Sequence, residues 1–239
     1  MSKELVEAKS NEVANQEMMA AWGETEVSSG DIVIPKIMLM QAMSEAVVAD
    51  DSTVKMGEFL DSLSGKVIGS HKKPITVVPF HLEKIWIHSK SSGKDFEFDS
   101  ITIAHDPKEH EYIEVVDGVE WKHEYCMNFY VIRPGDMTLP YIVTFKGASR
   151  KAGRALATQM FVKNKMAGKI PPAVAMELTA KKESNDKGTY YVWDVSAKRD
   201  STQEEMSTAF DWFKTVNAGG TKAHEETESV SKATDEARF

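Results

Sequence analysis

Between positions 146 and 169 the chain carries Lys146, Arg150, Lys151, Arg154, Lys163, Lys165 and Lys169, with no Asp or Glu among them. Cations without carboxylate neighbours are free to meet phosphates, whereas cations interleaved with acids largely neutralise one another. The rest of the chain leans the other way: 37 acidic against 29 basic residues give a net charge of −8. Residues 1–61 are rich in Glu and Asp, with only Lys3, Lys9, Lys36 and Lys55 opposing them, and the last residues, "EETESVSKATDEARF", are also mainly acidic. Acidic ends around a basic middle suit a soluble chain that binds a polyanion. Lys181, Lys182 and Lys187 of "KKESNDKG", and His71, Lys72 and Lys73 of "SHKKP", could extend the cationic track.

A second chemistry comes from aromatics in strand-like runs. In "KIWIHS", Ile85 and Ile87 alternate with Lys84, Trp86 and His88, so a ring and a cation share one face. In "TYYVWDV", Tyr191, Trp193 and Val195 share a face and Tyr190 lies opposite; in "YCMNFYVI", Tyr130 lies opposite Met127, Phe129 and Val131. Trp86, Tyr130 and Tyr190 are therefore the expected stacking rings, a sequence-tolerant contact of about 1–3 kcal/mol per base. The competing expectation for each ring is burial in the core.

A third group is rich in imidazole. "HDPKEHE" brings His105, Asp106, Glu109 and His110 close in sequence, and His123 and Cys126 follow. These are zinc-type ligands, but the spacing matches no HExxH or CxxC pattern and the run reads as a polar, proline-containing loop. A solvated loop is the expectation, with no metal site and no cofactor. GxxxxGK[ST], GxGxxG and GxSxG are all absent. The strong strands carry few acids, Glu83, Glu177 and Asp194, so no catalytic residues are assigned and the protein is not expected to be an enzyme.

The elements that must position these groups are mostly strands. "ITVVPFHLEKIWIHS" (75–89) is a long strand with a bulge or bend expected at Pro79. Residues 90–124 read as an elaborated loop holding two weak strands, "FEFDSITI" and "YIEVV". "YCMNFYVI" (125–132) and "LPYIVTF" (139–145) form a hairpin around "RPGDMT". "AVAMELTAK" (173–181) and "TYYVWDVSA" (189–197) form another, with 182–188 as its loop. Between the hairpins the cationic stretch is helical: Ser149 is its expected N-cap, Ala152, Ala155, Leu156 and Met160 its buried side, and Arg150, Lys151 and Arg154 its solvent side. A second helix, 201–216, opens on a Ser/Thr cap with Glu204 in its first turn. Met206, Phe210 and Phe213 are its expected core stripe.

The resulting order is a bent strand, a loop, a hairpin, a helix and a second hairpin. It predicts a mainly β fold with helices (α+β), in the form of an OB-like five-stranded Greek-key barrel over residues 31–217. Residues 90–124 and 182–188 would be its two binding loops. Residues 1–30 read as a flexible segment in which Leu5, Val6, Val13, Met18, Met19 and Trp22 could line a weak amphipathic helix. Residues 218–239 read as a disordered acidic tail. A single cysteine, Cys126, excludes an internal disulfide. No stretch has the apolar length of a signal peptide core or a membrane span, so a soluble cytoplasmic protein with no membrane partner is expected.

In this strand order, in the helix "FKGASRKAGRALATQM", in the final hairpin "KGTYYVW" and in the acidic tail closing on Phe239, the chain resembles phage-encoded single-stranded-DNA-binding proteins. "IPKIMLMQAMSEAV" and "ITVVPF" extend the likeness, which spans about residues 31–239. The resemblance implies sequence-independent coating of single-stranded DNA during phage replication or recombination, inside the host cytoplasm. The expected DNA contacts are Lys84, Trp86, Tyr130, Lys146, Arg150, Lys151, Arg154, Lys163, Lys165, Lys182, Lys187 and Tyr190. Asp235, Glu236 and Phe239 would hold replication or recombination proteins, although Lys222, Lys232 and Arg238 dilute the tail's charge. Oligomerisation is compatible with this reading. The alternatives are a metal-dependent nuclease using His105 and His110, or a phage structural or assembly protein whose basic helix meets an acidic partner.

Overall fold

The computed structural model describes residues 33–93, 95–186 and 188–219. The terminal helix and tail expectations, with Lys187, Asp235, Glu236 and Phe239, lie outside them. Mainly β with a few helices, the chain builds one strongly curled half-barrel sheet and one small sheet. The small sheet is antiparallel, in the order β1 (Ile37–Leu39), β2 (Glu58–Asp61), β3 (Val67–Ser70), with a single helical turn α1 (Glu45–Val48) between its first two strands.

The large sheet is organised by a ribbon of two long strands, β4 (Ile75–Ser91) and β7 (Val119–Arg133), paired from Val78–Ile132 to Lys90–Trp121. The register shifts between Pro79 and His81, where proline offers no N–H to the ladder. The ribbon has two ends. At one, β8 (Asp136–Lys146) pairs with Cys126–Arg133 of β7, and β9 (Val174–Asn185) pairs with Ile75–Val77 of β4 and carries β10 (Gly188–Asp200). At the other end, β5 (Phe96–Ile103) pairs with Ile85–Ser91 of β4, and β6 (Ile113–Val116) with Val119–Lys122 of β7. The region expected to be a loop, 90–124, is therefore a β-structured arm that continues the ribbon. A two-residue turn closes its β6–β7 hairpin, with Asp117 and Gly118 both at positive φ (54° and 79°), as a type I′ turn requires. The loop expected over 182–188 is shorter, because β9 runs to Asn185 and pairs there with Gly188 of β10.

β8 and β10 are the free edges of the curled end and do not pair with each other among the described residues. Other groups fill the seam. Ile142 N–H donates to Pro35 O at 2.9 Å. Gln41 holds the backbone of Tyr191 at both ends, its amide donating to Tyr191 O and its carbonyl accepting from Tyr191 N–H, each at 2.9 Å. Ser149 Oγ accepts from Trp193 N–H at 3.0 Å. That bond replaces the cap expected of Ser149: its hydroxyl serves the edge of β10, and α2 (Arg150–Ala157) begins without a side-chain cap.

Side-chain alternation gives the central strands two buried faces. Phe129, Val131, Val143, Phe145, Met176, Leu178 and Trp193 point into the curl, where Phe59, Leu156 and Met160 join them. Val78, Phe80, Tyr130, Ile132, Ile142 and Ala175 point the other way, under α4 (Gln203–Gly219). The buried stripe of α4 is Ala209 and Val216, with Trp212 packed beside them. Phe210 and Phe213, expected in the core, stand half-exposed one helical position away. On α2 the buried side is Ala152, Gly153 and Leu156, and Ala155 is exposed. A helical glycine costs about 1 kcal/mol relative to alanine. Here a Cβ would sit 2.8 Å from Phe145 Cβ, so close packing dictates the residue.

At the start of α4 the capping pair is Thr202 with Glu205, not Glu204. Thr202 N–H donates to Glu205 Oε2 (2.8 Å) and Glu205 N–H to Thr202 Oγ1 (3.2 Å). The Arg199 guanidinium donates two further bonds to the same buried carboxylate, at 2.6 and 2.8 Å, and these hold its pKa below the ordinary glutamate value. A depressed folded-state pKa stabilises the fold above the unfolded glutamate pKa, and the contribution is lost as pH falls through the folded value. Glu205→Gln is accordingly expected to lower urea stability by about 1–2 kcal/mol at neutral pH, with the deficit shrinking at pH near 3. A deficit independent of pH would place the effect in packing rather than charge.

Candidate nucleic-acid interface

The cationic segment is one continuous helical stretch: α2, a π-helical turn over Thr158–Lys163, and α3 (Asn164–Met166). Buried Ala152, Leu156 and Met160 fix its inner side. Lys151, Arg154, Lys163 and Lys165 then stand exposed, and none of them forms an ion pair within the described residues. The π turn adds a residue to the helical circuit and rotates the residues beyond it. Phe161, Val162 and Met166 emerge into solvent among the lysines, with Ile170 beyond them. Sequence reasoning misses this exposed apolar run, although "MFVKNKM" departs from the stripe that ends at Met160.

The other expected contacts divide. Lys146 is committed to the buried Glu124 carboxylate at 2.9 Å, so a phosphate would have to displace a partly buried ion pair. Arg150 is half-buried, its guanidinium 5.0 Å from the centre of the Tyr125 ring. Lys169 pairs with Asp200 (2.6 Å) and Lys181 with Asp194 (2.8 Å). Lys84 and Lys182 are exposed, on β4 and β9.

Two of the three stacking rings are interior, which corrects the sequence expectation. Trp86 is 3% exposed: its indole N–H donates to Glu109 Oε2 at 2.9 Å and its ring meets Tyr125 and His110 edge-on. Tyr130 is 1% exposed, held under α4 beside Phe80 and His81, and burial with the nearby Glu83 carboxylate raises its pKa. Alternation separates the two rings but cannot show what covers them: Trp86 shares the inner cluster with Tyr125, Met127 and Phe129, with the 105–112 turn against it, whereas Tyr130 is on the opposite face, under α4. Tyr190 remains half-exposed near the tip of β10, its hydroxyl 3.1 Å from Glu183 Oε2.

The arm gathers a cluster that the sequence shows only in part. His88 on β4 and His123 on β7 are register partners, with their Nδ1 atoms 2.7 Å apart, and His88 Nε2 lies 2.8 Å from Thr102 Oγ1 on β5. His110, from the β5–β6 connection, stacks on His123 with ring centres 4.5 Å apart. Glu114 on β6 completes the group, its Oε2 at 3.7 Å from His110 Nδ1 and 3.3 Å from His123 Nε2. Burial, reinforced by the neighbouring imidazoles, lowers the pKa of both His88 and His123. Of the other ligand-type residues in this stretch, His105 stays exposed outside the group, and Cys126 is fully buried with its thiol toward Glu124 O.

A family model described as Pam3 phage gp34-like protein matches residues 4–223. No curated protein and no solved structure matches the chain. The chain belongs to the Pam3 phage gp34-like family.

Proposed function

We propose that this member of the Pam3 phage gp34-like family is a non-enzymatic binder of single-stranded DNA. The observation that carries the reading is the ridge of four exposed cations, Lys151, Arg154, Lys163 and Lys165, on an acid-free segment of an acidic chain. A phosphate backbone laid along the ridge releases condensed counterions, which supplies affinity without sequence preference. Phe161, exposed between the cations, and Tyr190 offer rings for unpaired bases, the contact that separates a single strand from a duplex. Two supports are indirect. The pairing order β8-β7-β4-β9-β10, with a helix between β8 and β9, is compatible with an OB-type Greek key, although Gln41 and Ser149 bond the β10 edge where the closing strand pair would lie. The phage family suits a role in phage DNA replication or recombination.

The test is fluorescence anisotropy on labelled oligo-dT at rising salt, beside a duplex of equal length. At about −0.7 in log affinity per log salt for each neutralised phosphate, four such phosphates give a slope near −3, with the single strand preferred. A flat salt response, no binding at low salt, or preference for the duplex sinks the proposal.

A further inference from the structure

We infer that His110, Glu114 and His123 form a binding site for a divalent first-row metal ion of the zinc type. The three residues each offer one ligand atom, and these atoms all lie within 4.8 Å of one another. Donors around such an ion, with bonds of about 2.1 Å, stand roughly 3.0–3.5 Å apart. The separations from Glu114 Oε2, 3.3 Å to His123 and 3.7 Å to His110, are already close to that. Because the two imidazole rings are stacked at 28°, their inner nitrogens both face the same carboxylate oxygen.

A second, independent observation points into the same spot. His123 is 6% exposed, and its Nε2 is buried without a hydrogen-bond partner. The nearby Glu114 oxygen, 3.3 Å away, is close enough for charge attraction but makes no well-formed hydrogen bond with it. A buried nitrogen left unpaired is costly in a folded protein, and an ion at this point satisfies it. The far side of the ring is already arranged as a metal ligand's would be. When the His88 Nε2–H donates to Thr102 Oγ1, His88 Nδ1 accepts from His123 Nδ1–H, and the lone pair of His123 Nε2 faces Glu114. Such a relay fixes the ligand's tautomer and ring orientation. Imidazole with carboxylate suits Zn²⁺ or Co²⁺ better than Mg²⁺ or Ca²⁺, and three protein donors leave a position for water or an incoming oxygen. The site lies on the β-arm and uses none of the four cations assigned to nucleic acid, so it stands or falls independently of DNA binding.

The experiment is calorimetric titration of Zn²⁺ into the chelator-stripped full chain, with Co²⁺ visible absorption as the coordination readout. His110→Ala and Glu114→Gln are the informative variants, because those side chains are 34% and 43% exposed and their loss leaves the core intact. Expected are saturable Zn²⁺ uptake, a Co²⁺ ligand-field band, and weakening of at least about tenfold in each variant with metal-free Tm unchanged. Wild-type-like Zn²⁺ affinity in either variant, or no uptake by the wild type, overturns the inference.

Discussion

Replacing Lys151 and Arg154 together by glutamate is expected to weaken oligo-dT binding on the order of 50-fold at about 50 mM salt, since each neutralised phosphate contributes roughly eightfold there. The salt slope should become shallower by about 1.4, the share of two phosphates. The weakening should be the same on every sequence, because phosphate contacts position a strand without reading it. Stability should barely change. Both side chains are exposed and neither has an ionic partner within the described residues, so nothing buried is orphaned. A glutamate at 151, in the first turn of the helical stretch, gains slightly from the helix dipole, and one at 154, in its interior, is close to neutral, a change within about 0.5 kcal/mol. Lys146→Ala is the contrasting variant. It removes an ionic partner from the buried Glu124 carboxylate, so its main effect should be a lowered Tm. If the double reversal leaves affinity untouched while the wild type binds, the cationic ridge is a solvated helix face and the DNA path lies elsewhere.

Features set by local signals are legible in the sequence. The strands from 125 to 145 and from 174 to 197, the irregularity at Pro79 and the cation-bearing side of α2 are all determined by residue type and near-neighbour spacing. Each is present in the structure. Features decided by what packs on top are not legible. Trp86 packs in the cluster inside the curl beside Tyr125 and Met127, and Tyr130 is on the opposite face beneath α4, so each ring is buried by segments distant in sequence. Phe210 and Phe213 have helical spacing, yet α4 rests on Ala209, Trp212 and Val216, which pack against the cluster of Val78, Phe80, Tyr130 and Ile142. Ser149 is a good capping residue, but its hydroxyl goes to a β10 edge that lacks its strand partner. The His88–His110–Glu114–His123 group is only half-visible, since His88 and His123 meet through strand register across 35 positions. Glu114 joins them only because the supposed loop is an ordered arm.

The second large effect expected is at Trp193, where the three parts of the seam converge. Its ring lies 4.8 Å from that of Phe59 on β2 and 6.3 Å from that of Phe145 on β8, while its backbone N–H is held by Ser149 at the start of α2. With 5% exposure, truncation to alanine removes a large buried surface and leaves a cavity between β8 and β10, which do not pair directly among the described residues, at a cost of about 3–5 kcal/mol. For a chain of this size that corresponds to a fall in Tm on the order of 10 °C. Among the described residues β8 and β10 have no ladder between them, so the packing of this ring is a principal restraint on how α2 sits, and Trp193→Ala should also weaken oligo-dT binding although Trp193 is not among the residues assigned to nucleotides. Trp121→Ala supplies the comparison. That ring is half-buried on the β-arm, packed 6.3 Å from His123 and approached by Lys90, and its loss should cost roughly 1–2 kcal/mol and leave DNA affinity alone. Urea denaturation of both variants decides the matter: equal destabilisation would mean that arm and curl share one cooperative core, and the cationic helix would owe its position to something other than the seam.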